Sequence, residues 1–192
     1  MTDTDLTPDL IAFLREQKDR ADIQACLLRY TRGVDRHDRE LMLSAYWPDA
    51  FDEHGVAEGV AADFVDWALG WHGEFQTRHQ HIIANSTIEL GGEPGDGPGG
   101  GTAHGETYYI FWGENREGPP TLAFGRYVDR FERRNEEWRI AHRVCVNELS
   151  GQFVVPELPE EWKSLMFRSG PNRRDKGDIS YVRPLTRAHD NA

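Results

Sequence analysis

The sequence predicts an α+β fold. Apolar residues recur at three- and four-residue spacing through the first third of the chain, and strand-like alternation replaces that period from about residue 80. The helical segments also precede the strands instead of alternating with them, which argues against a parallel βαβ sheet and for helices packed on mostly antiparallel strands.

A leading helix is expected over Leu6–Lys18, with Thr7 as N-cap and Pro8 in the first helical position. A main helix follows over Asp22–Asp35, where Ile23, Cys26, Leu27, Tyr30 and Val34 form one stripe. Asp38 caps a short helix carrying Leu41, Met42, Ala45 and Tyr46. Phe51–Val60 reads as a brief hairpin about Gly55, and Ala61–Trp71 as a third helix presenting Phe64, Trp67, Ala68 and Trp71 on one side. Four strands are expected next, at Gln80–Leu90, Thr102–Gly113, Thr121–Arg134 and Glu137–Leu149. The glycine-rich stretch Gly91–Gly101 has no Lys-Ser/Thr pair and leads into no helix, so it reads as a hairpin tip and not a phosphate cradle.

At 192 residues the chain is expected to form one catalytic domain over residues 1–149 with a 150–192 extension. The net charge of -11 argues against a nucleic-acid or anionic-membrane partner, both of which require a basic surface. No apolar run reaches membrane-spanning length and the N-terminus is polar, so a cytoplasmic protein is expected. Cys26 and Cys145 lie in periodic segments and are expected to be reduced core residues.

Two segments carry the chemistry. Tyr30-Thr31-Arg32-Gly33-Val34-Asp35 closes the main helix and leaves the Asp35 carboxylate at the negative end of the helix dipole, a placement that costs helix stability. His79-Gln80-His81 puts two imidazoles on one face of a strand, together with Ile83 and Asn85. An aspartate and a histidine brought together form an acid/base pair that needs no cofactor. Each has a plainer reading: Asp35 as a turn residue, His81 or His79 as a hydrogen-bonded structural histidine, Tyr30 as a packing residue. His79 and His81 could also chelate an ion with Asp35 or Glu106, but nothing in the spacing demands it, and no metal or cofactor is expected. Arg143 alternates with Ala141, Cys145 and Asn147, while Trp138, Ile140, Val144 and Val146 occupy the opposite face. An arginine among small residues fits a pocket-facing cation, and the apolar opposite face then calls for cover by another subunit.

The helix ending Tyr30…Gly33-Val34-Asp35, the segment Tyr46-Trp47-Pro48-Asp49-Ala50, the strand His81-Ile82-Ile83-Ala84-Asn85 and the pair Phe131-Glu132-Arg133-Arg134…Trp138-Arg139-Ile140 resemble the SnoaL-like family of the nuclear-transport-factor-2-like superfamily over roughly residues 20–150. The resemblance implies a cone of helices on a curved, mixed, mainly antiparallel sheet. It also implies a cofactor-independent lyase like scytalone dehydratase, hexachlorocyclohexane dehydrochlorinase, bile-acid 7α-dehydratase or the formaldehyde-releasing lyases. Asp35 then matches the family's helix-end aspartate and His81 its strand histidine. Tyr30 takes the place of a catalytic tyrosine, and Arg143 that of an arginine assisting leaving-group departure. Asn147 stands where the bile-acid enzyme has a second arginine, which weakens the case for that substrate.

The expected ligand is an apolar, hydroxylated aromatic or polycyclic small molecule, with His79, Asn85, Asn147, Trp47 and Trp71 as further pocket residues and a homo-oligomer, trimer or dimer, as the assembly. A non-catalytic binding module and the small subunit of a ring-hydroxylating dioxygenase share the fold and stay open as alternatives. The extension holds Phe153, Val154, Val155, Leu158, Trp162, Leu165, Met166, Phe167 and Tyr181, too apolar a set for a disordered tail, so an ordered arm across the pocket mouth or on a neighbouring subunit is expected.

Overall fold

The computed structural model describes residues 7–91, 101–154, 156–166 and 172–185, and within them helices and strands follow the predicted order. Helix α1 spans Pro8–Asp35. Pro8 starts it, and Thr7 Oγ1 accepts from Leu10 N at 3.3 Å. It is one continuous helix where two were expected. Residues 19–21 contain no breaker, and the mid-helix Asp19 carboxylate finds partners across the core in Trp138 Nε1 at 2.8 Å and Arg133 Nη1 at 3.3 Å. The helix ends when His37 turns into the left-handed region at φ 49° and Asp38 N donates back to Gly33 O at 2.9 Å, a Schellman closure with histidine where glycine is usual. Gly33 permits the crossing of α2, Arg39–Leu43. A Cβ there would lie 2.5 Å from Met42 N.

Strands β1 (Tyr46–Glu53), β2 (Glu58–Val60), β3 (Gln76–Leu90), β4 (Thr102–Asn115), β5 (Thr121–Arg134) and β6 (Glu137–Gln152) form one sheet in the order β2-β1-β6-β5-β4-β3. The β1–β6 pair is parallel and the rest antiparallel, so the sheet is mixed and mainly antiparallel. Helix α1 packs on β3 and β6, and α3 (Ala61–Phe75) packs on β1 and β3. Ile23, Cys26, Leu27, Tyr30 and Val34 meet Phe64, Val65, Phe111, Tyr127, Phe131 and Ile140 in the core. Both cysteines are buried and unpaired.

Bulges re-aim side chains that simple alternation misplaced. In β6 the register passes from Arg130↔His142 to Phe131↔Ile140, so Ala141 is an extra residue, and Trp138 and Ile140 face the core along with Arg143. The expected apolar outer face on β6 is reduced to Val144 and Val146. In β3, Ala84 and Asn85 together oppose Tyr108, and the inward face continues through Ser86 and Ile88. Strand β6 also runs three residues past Leu149, with Gln152 still paired to Thr121. Helix α4 (Glu160–Met166) buries no residue. Most of the Gly91–Gly101 loop and the arm residues Val155, Phe167 and Arg168 lie outside the described residues. No helix among the described residues is long and apolar enough to cross a membrane.

Candidate active site

Asp35 and His81 meet at the open edge of the sheet. Strand β3 is an edge strand, so the His81 N–H has no strand partner and points at the end of α1. It donates to both Asp35 carboxylate oxygens, at 3.1 and 3.0 Å. His81 Nδ1 lies 2.7 Å from Asp35 Oδ1. Because the carboxylate accepts, the network assigns the proton to Nδ1 and leaves the Nε2 lone pair free to act as a base. The two side chains retain 9% and 14% exposure, enough for access without bulk hydration.

Three further histidines surround this pair, and all are held neutral. His79 Nε2 donates to Val34 O at 3.1 Å, and burial followed by the neighbouring His72 pushes its pKa far below the usual imidazole value. His72 stacks on His79 at 4.1 Å and donates from Nδ1 to Gln76 Oε1 at 2.8 Å; burial lowers it to about 3. His37 is lowered to about 4 by burial and by Arg174. Asp35, His79 and His81 could each offer a metal one ligand atom within 4.8 Å of the others, but His79 Nε2 and His81 Nδ1 are already engaged by Val34 O and Asp35.

Tyr30 is buried beside the dyad, its ring 6.5 Å from the His81 ring and 5.6 Å from Tyr127, and burial raises its pKa. Arg143 is fully buried and does not stand alone as expected. Its Nε and Nη2 grip Asp129 at 2.7 and 2.8 Å, with the guanidinium over the Tyr30 and Tyr127 rings at 4.3 and 4.1 Å. Only Nη1 has no partner among the described residues.

The other expected pocket residues scatter. Asn147 accepts from Tyr109 Oη at 2.5 Å on the inner side of β6. Asn85 is turned out by the β3 bulge and exposed. Trp47 is wedged between Arg134 and Arg139 and donates to Glu132 O at 2.9 Å, at the β5–β6 hairpin and not at the dyad. Trp71 is 37% exposed on α3 but touches the histidine cluster through His72 at 5.1 Å.

Sequence reasoning missed a second histidine–carboxylate pair. His54 Nδ1 hydrogen-bonds Asp52 Oδ1, and Asp52 Oδ2 accepts from Tyr46 Oη at 2.5 Å. Burial pulls the His54 pKa down, but the Asp52 carboxylate outweighs it and lifts it to about 9. The signal was present in the Asp-Glu-His run, since Asp52 and His54 share strand parity.

The segment 172–185 returns to the end of α1. Arg32 Nη2 donates to Ser180 O at 3.0 Å, Tyr181 Oη donates to Asp38 Oδ2 at 3.0 Å, and Arg36 faces Asp178 at 3.5 Å. A cleft of about 350 Å³ lies there, lined by Leu28, Thr31, Arg32, Asp35, Arg36 and Ser180.

A family model for the SnoaL-like domain matches residues 15–144. Among solved structures, a type 2 hexachlorocyclohexane dehydrochlorinase superposes with TM-score 0.67 at 19% identity, over 77% of this chain and 97% of the other. The type 3 enzyme from Novosphingobium barchaimii gives 0.64 at 20%, over 76% and 98%. A candidate scytalone dehydratase from Novosphingobium aromaticivorans gives 0.63 at 15%, over 74% and 92%. These likenesses establish the fold. A comparison with curated proteins found no match.

Proposed function

Since the chain belongs to the SnoaL-like domain family, we propose that it is a cofactor-independent lyase acting on an apolar, hydroxylated aromatic small molecule. The observation that carries this reading is the double engagement of Asp35 by His81. Backbone N–H and Nδ1–H both donate to one carboxylate, which fixes the ring and its tautomer and stabilises the imidazolium that forms when Nε2 takes a proton.

In a dehydration, His81 Nε2 removes a proton from the substrate carbon, the adjacent C–O bond breaks, and the imidazolium returns that proton to the departing hydroxide as water. In a deformylation, the same nitrogen takes the hydroxymethyl O–H proton, the C–C bond breaks to release formaldehyde, and the carbanion recovers the proton. Both use a base that becomes an acid, and neither requires a metal. Tyr30 supports the developing oxyanion from beside His81. Arg143 can contribute only through Nη1, because Asp129 already neutralises its charge. His79 and Trp71 belong to the wall around the base, and Asn147 to the far side.

On this reading the arm at 172–185, which hydrogen-bonds the end of α1, acts as a lid beside Asp35, and the sheet's outer surface, where Tyr108 and Val128 are exposed, joins copies into a homo-oligomer. Truncation after Phe153, which spares β6, separates the arm's roles: a lid loses activity with the oligomer intact, whereas an oligomer strap loses the oligomer. The test of function is a mass-spectrometric screen of chelator-treated protein against hydroxylated aromatic dimers and polyketide- or steroid-like alcohols. Loss of water or formaldehyde, abolished in His81→Ala, supports the reading; no loss from any member of the panel counts against it.

A further inference from the structure

Among the described residues, His54 is a largely buried histidine bound to a carboxylate other than Asp35, and further charged groups lie beside that carboxylate. Register places Asp52 of β1 beside Arg143 of β6, and Arg143 beside Asp129 of β5. Asp52, Asp129 and Arg143 are all buried, at 0%, 1% and 0% exposure. Two buried carboxylates, Asp52 and Asp129, thus share the single guanidinium of Arg143, and burial raises the Asp129 pKa against the pull of Arg143. An uncompensated buried charge is costly, and the row becomes neutral when His54 is an imidazolium. The groups facing His54 are Asp52 on its own strand, Tyr127 and Asp129 on β5, Cys145 on β6 and Phe64 on α3. Of these, Asp52 is the carboxylate hydrogen-bonded to the ring, whereas Asp129 is gripped by Arg143.

The ring is also poised toward a ligand. The tight turn closed by His54 N to Ala57 O at 2.8 Å, with Gly55 at φ 75°, fixes its backbone. Phe64 stacks on one ring face at 4.4 Å. With Nδ1 bound to Asp52, the remaining donor is Nε2–H, and the nearby Cys145 thiol is a weak acceptor that a ligand oxygen would displace. The side chain keeps 16% exposure although its carboxylate keeps none, so the ring reaches an accessible space that Asp52 does not. Tyr127 lies 6.0 Å from His54 and 5.6 Å from Tyr30, and Tyr30 lies 6.5 Å from His81, so two phenol rings connect this donor to the proposed base.

We propose that His54, held as a cation by Asp52 within the Asp52–Arg143–Asp129 row, is an oxyanion-binding residue of the same pocket and takes an ionisable aryl oxygen, so that the substrate class is phenolic. This deepens the reading of the site as one for hydroxylated aromatics and rests on it. The ligand's phenol proton goes to solvent, and the phenolate oxygen accepts Nε2–H. Asp52 acts through His54 as a positioning residue.

The probe is para-nitrophenol, whose ionised form absorbs in the visible, titrated against pH with the full-length protein. No turnover is involved, so the outcome is independent of whether the lyase screen succeeds. The bound probe should ionise more readily than in water, by about tenfold in the equilibrium constant. His54→Gln and Asp52→Asn should remove that gain, while Glu89→Gln, at an exposed position of β3, should retain it. Thermal unfolding checks that each variant is folded, and Asp52→Asn carries the test if His54→Gln does not fold. No binding of the probe, a bound probe that ionises as in water, or a gain that survives both His54→Gln and Asp52→Asn would overturn the proposal.

Discussion

The two ends of the interior use the same residue types to opposite effect. At the Asp35 end, His72 and His79 are buried against each other, an amide and a carbonyl, and are held neutral. At the Asp52 end, His54 is also deep in the fold but bound to a fully buried carboxylate, and is held charged. Burial alone does not decide a histidine's charge; the sign of the nearest fixed charge does. The protein thus holds a neutral imidazole wall around one aspartate and a cation beside the other.

The largest expected effect separates the dyad from its wall. Asp35→Asn and His81→Ala should each lower kcat by about 10³–10⁴-fold on the substrate found by the screen, with thermal stability little changed. A loss of that size in His72→Gln would break the comparison, because it would make the neutral stack part of the chemistry.

Next comes the charged row. Arg143→Met should destabilise the fold by about 3–5 kcal/mol in chemical denaturation, because it strands Asp129, and Arg143→Met combined with Asp129→Leu should recover most of that. A mild single mutant would mean that the row is hydrated.

The two ends should also give opposite pH limbs. His72, lowered to about 3, leaves the unfolded chain binding the extra proton as pH falls below its ordinary value. Stability is therefore complete above that value and lost in acid, by about 2 kcal/mol near pH 5. His54, raised to about 9, contributes stability that is full below its ordinary value and lost as pH rises through about 9, on the order of 3 kcal/mol. Thermal melts against pH should give a dome, and Asp52→Asn should flatten only its alkaline side.

Gly33→Ala should cost about 1–3 kcal/mol by forcing α2 away from α1, and should shift His81 resonances while leaving those of His54 in place. The smallest expected effect is that of chelation: activity should survive it, and recovery of lost activity with zinc, iron or manganese would favour a Lewis-acid account.

Periodicity in the sequence was enough to place α1's apolar stripe and the four long strands, and Asp35 and His81 could be paired through the resemblance because Asp35 ends its helix and His81 has a fixed parity on its strand. What alternation could not reveal were the bulges. Ala141 turned Trp138 and Ile140 inward, and Ala84-Asn85 turned Asn85 outward, since one inserted residue reverses the face of everything beyond it. Asp129 was unreadable as Arg143's partner because their pairing depends on the β5–β6 register, and the Asp52–Arg143 adjacency depends on a parallel pairing of distant strands. Asp52 and His54 were within reach of the sequence, being two residues apart where one short strand runs into its turn.

The most direct test is the nitrogen-15 spectrum of the histidine side chains followed across pH in the full-length protein. His81, when neutral, should carry its proton on Nδ1 with a bare Nε2, and His54 should be doubly protonated at neutral pH. A His81 protonated on Nε2 would remove the base the mechanism requires, and a neutral His54 would contradict the opposition between the two ends.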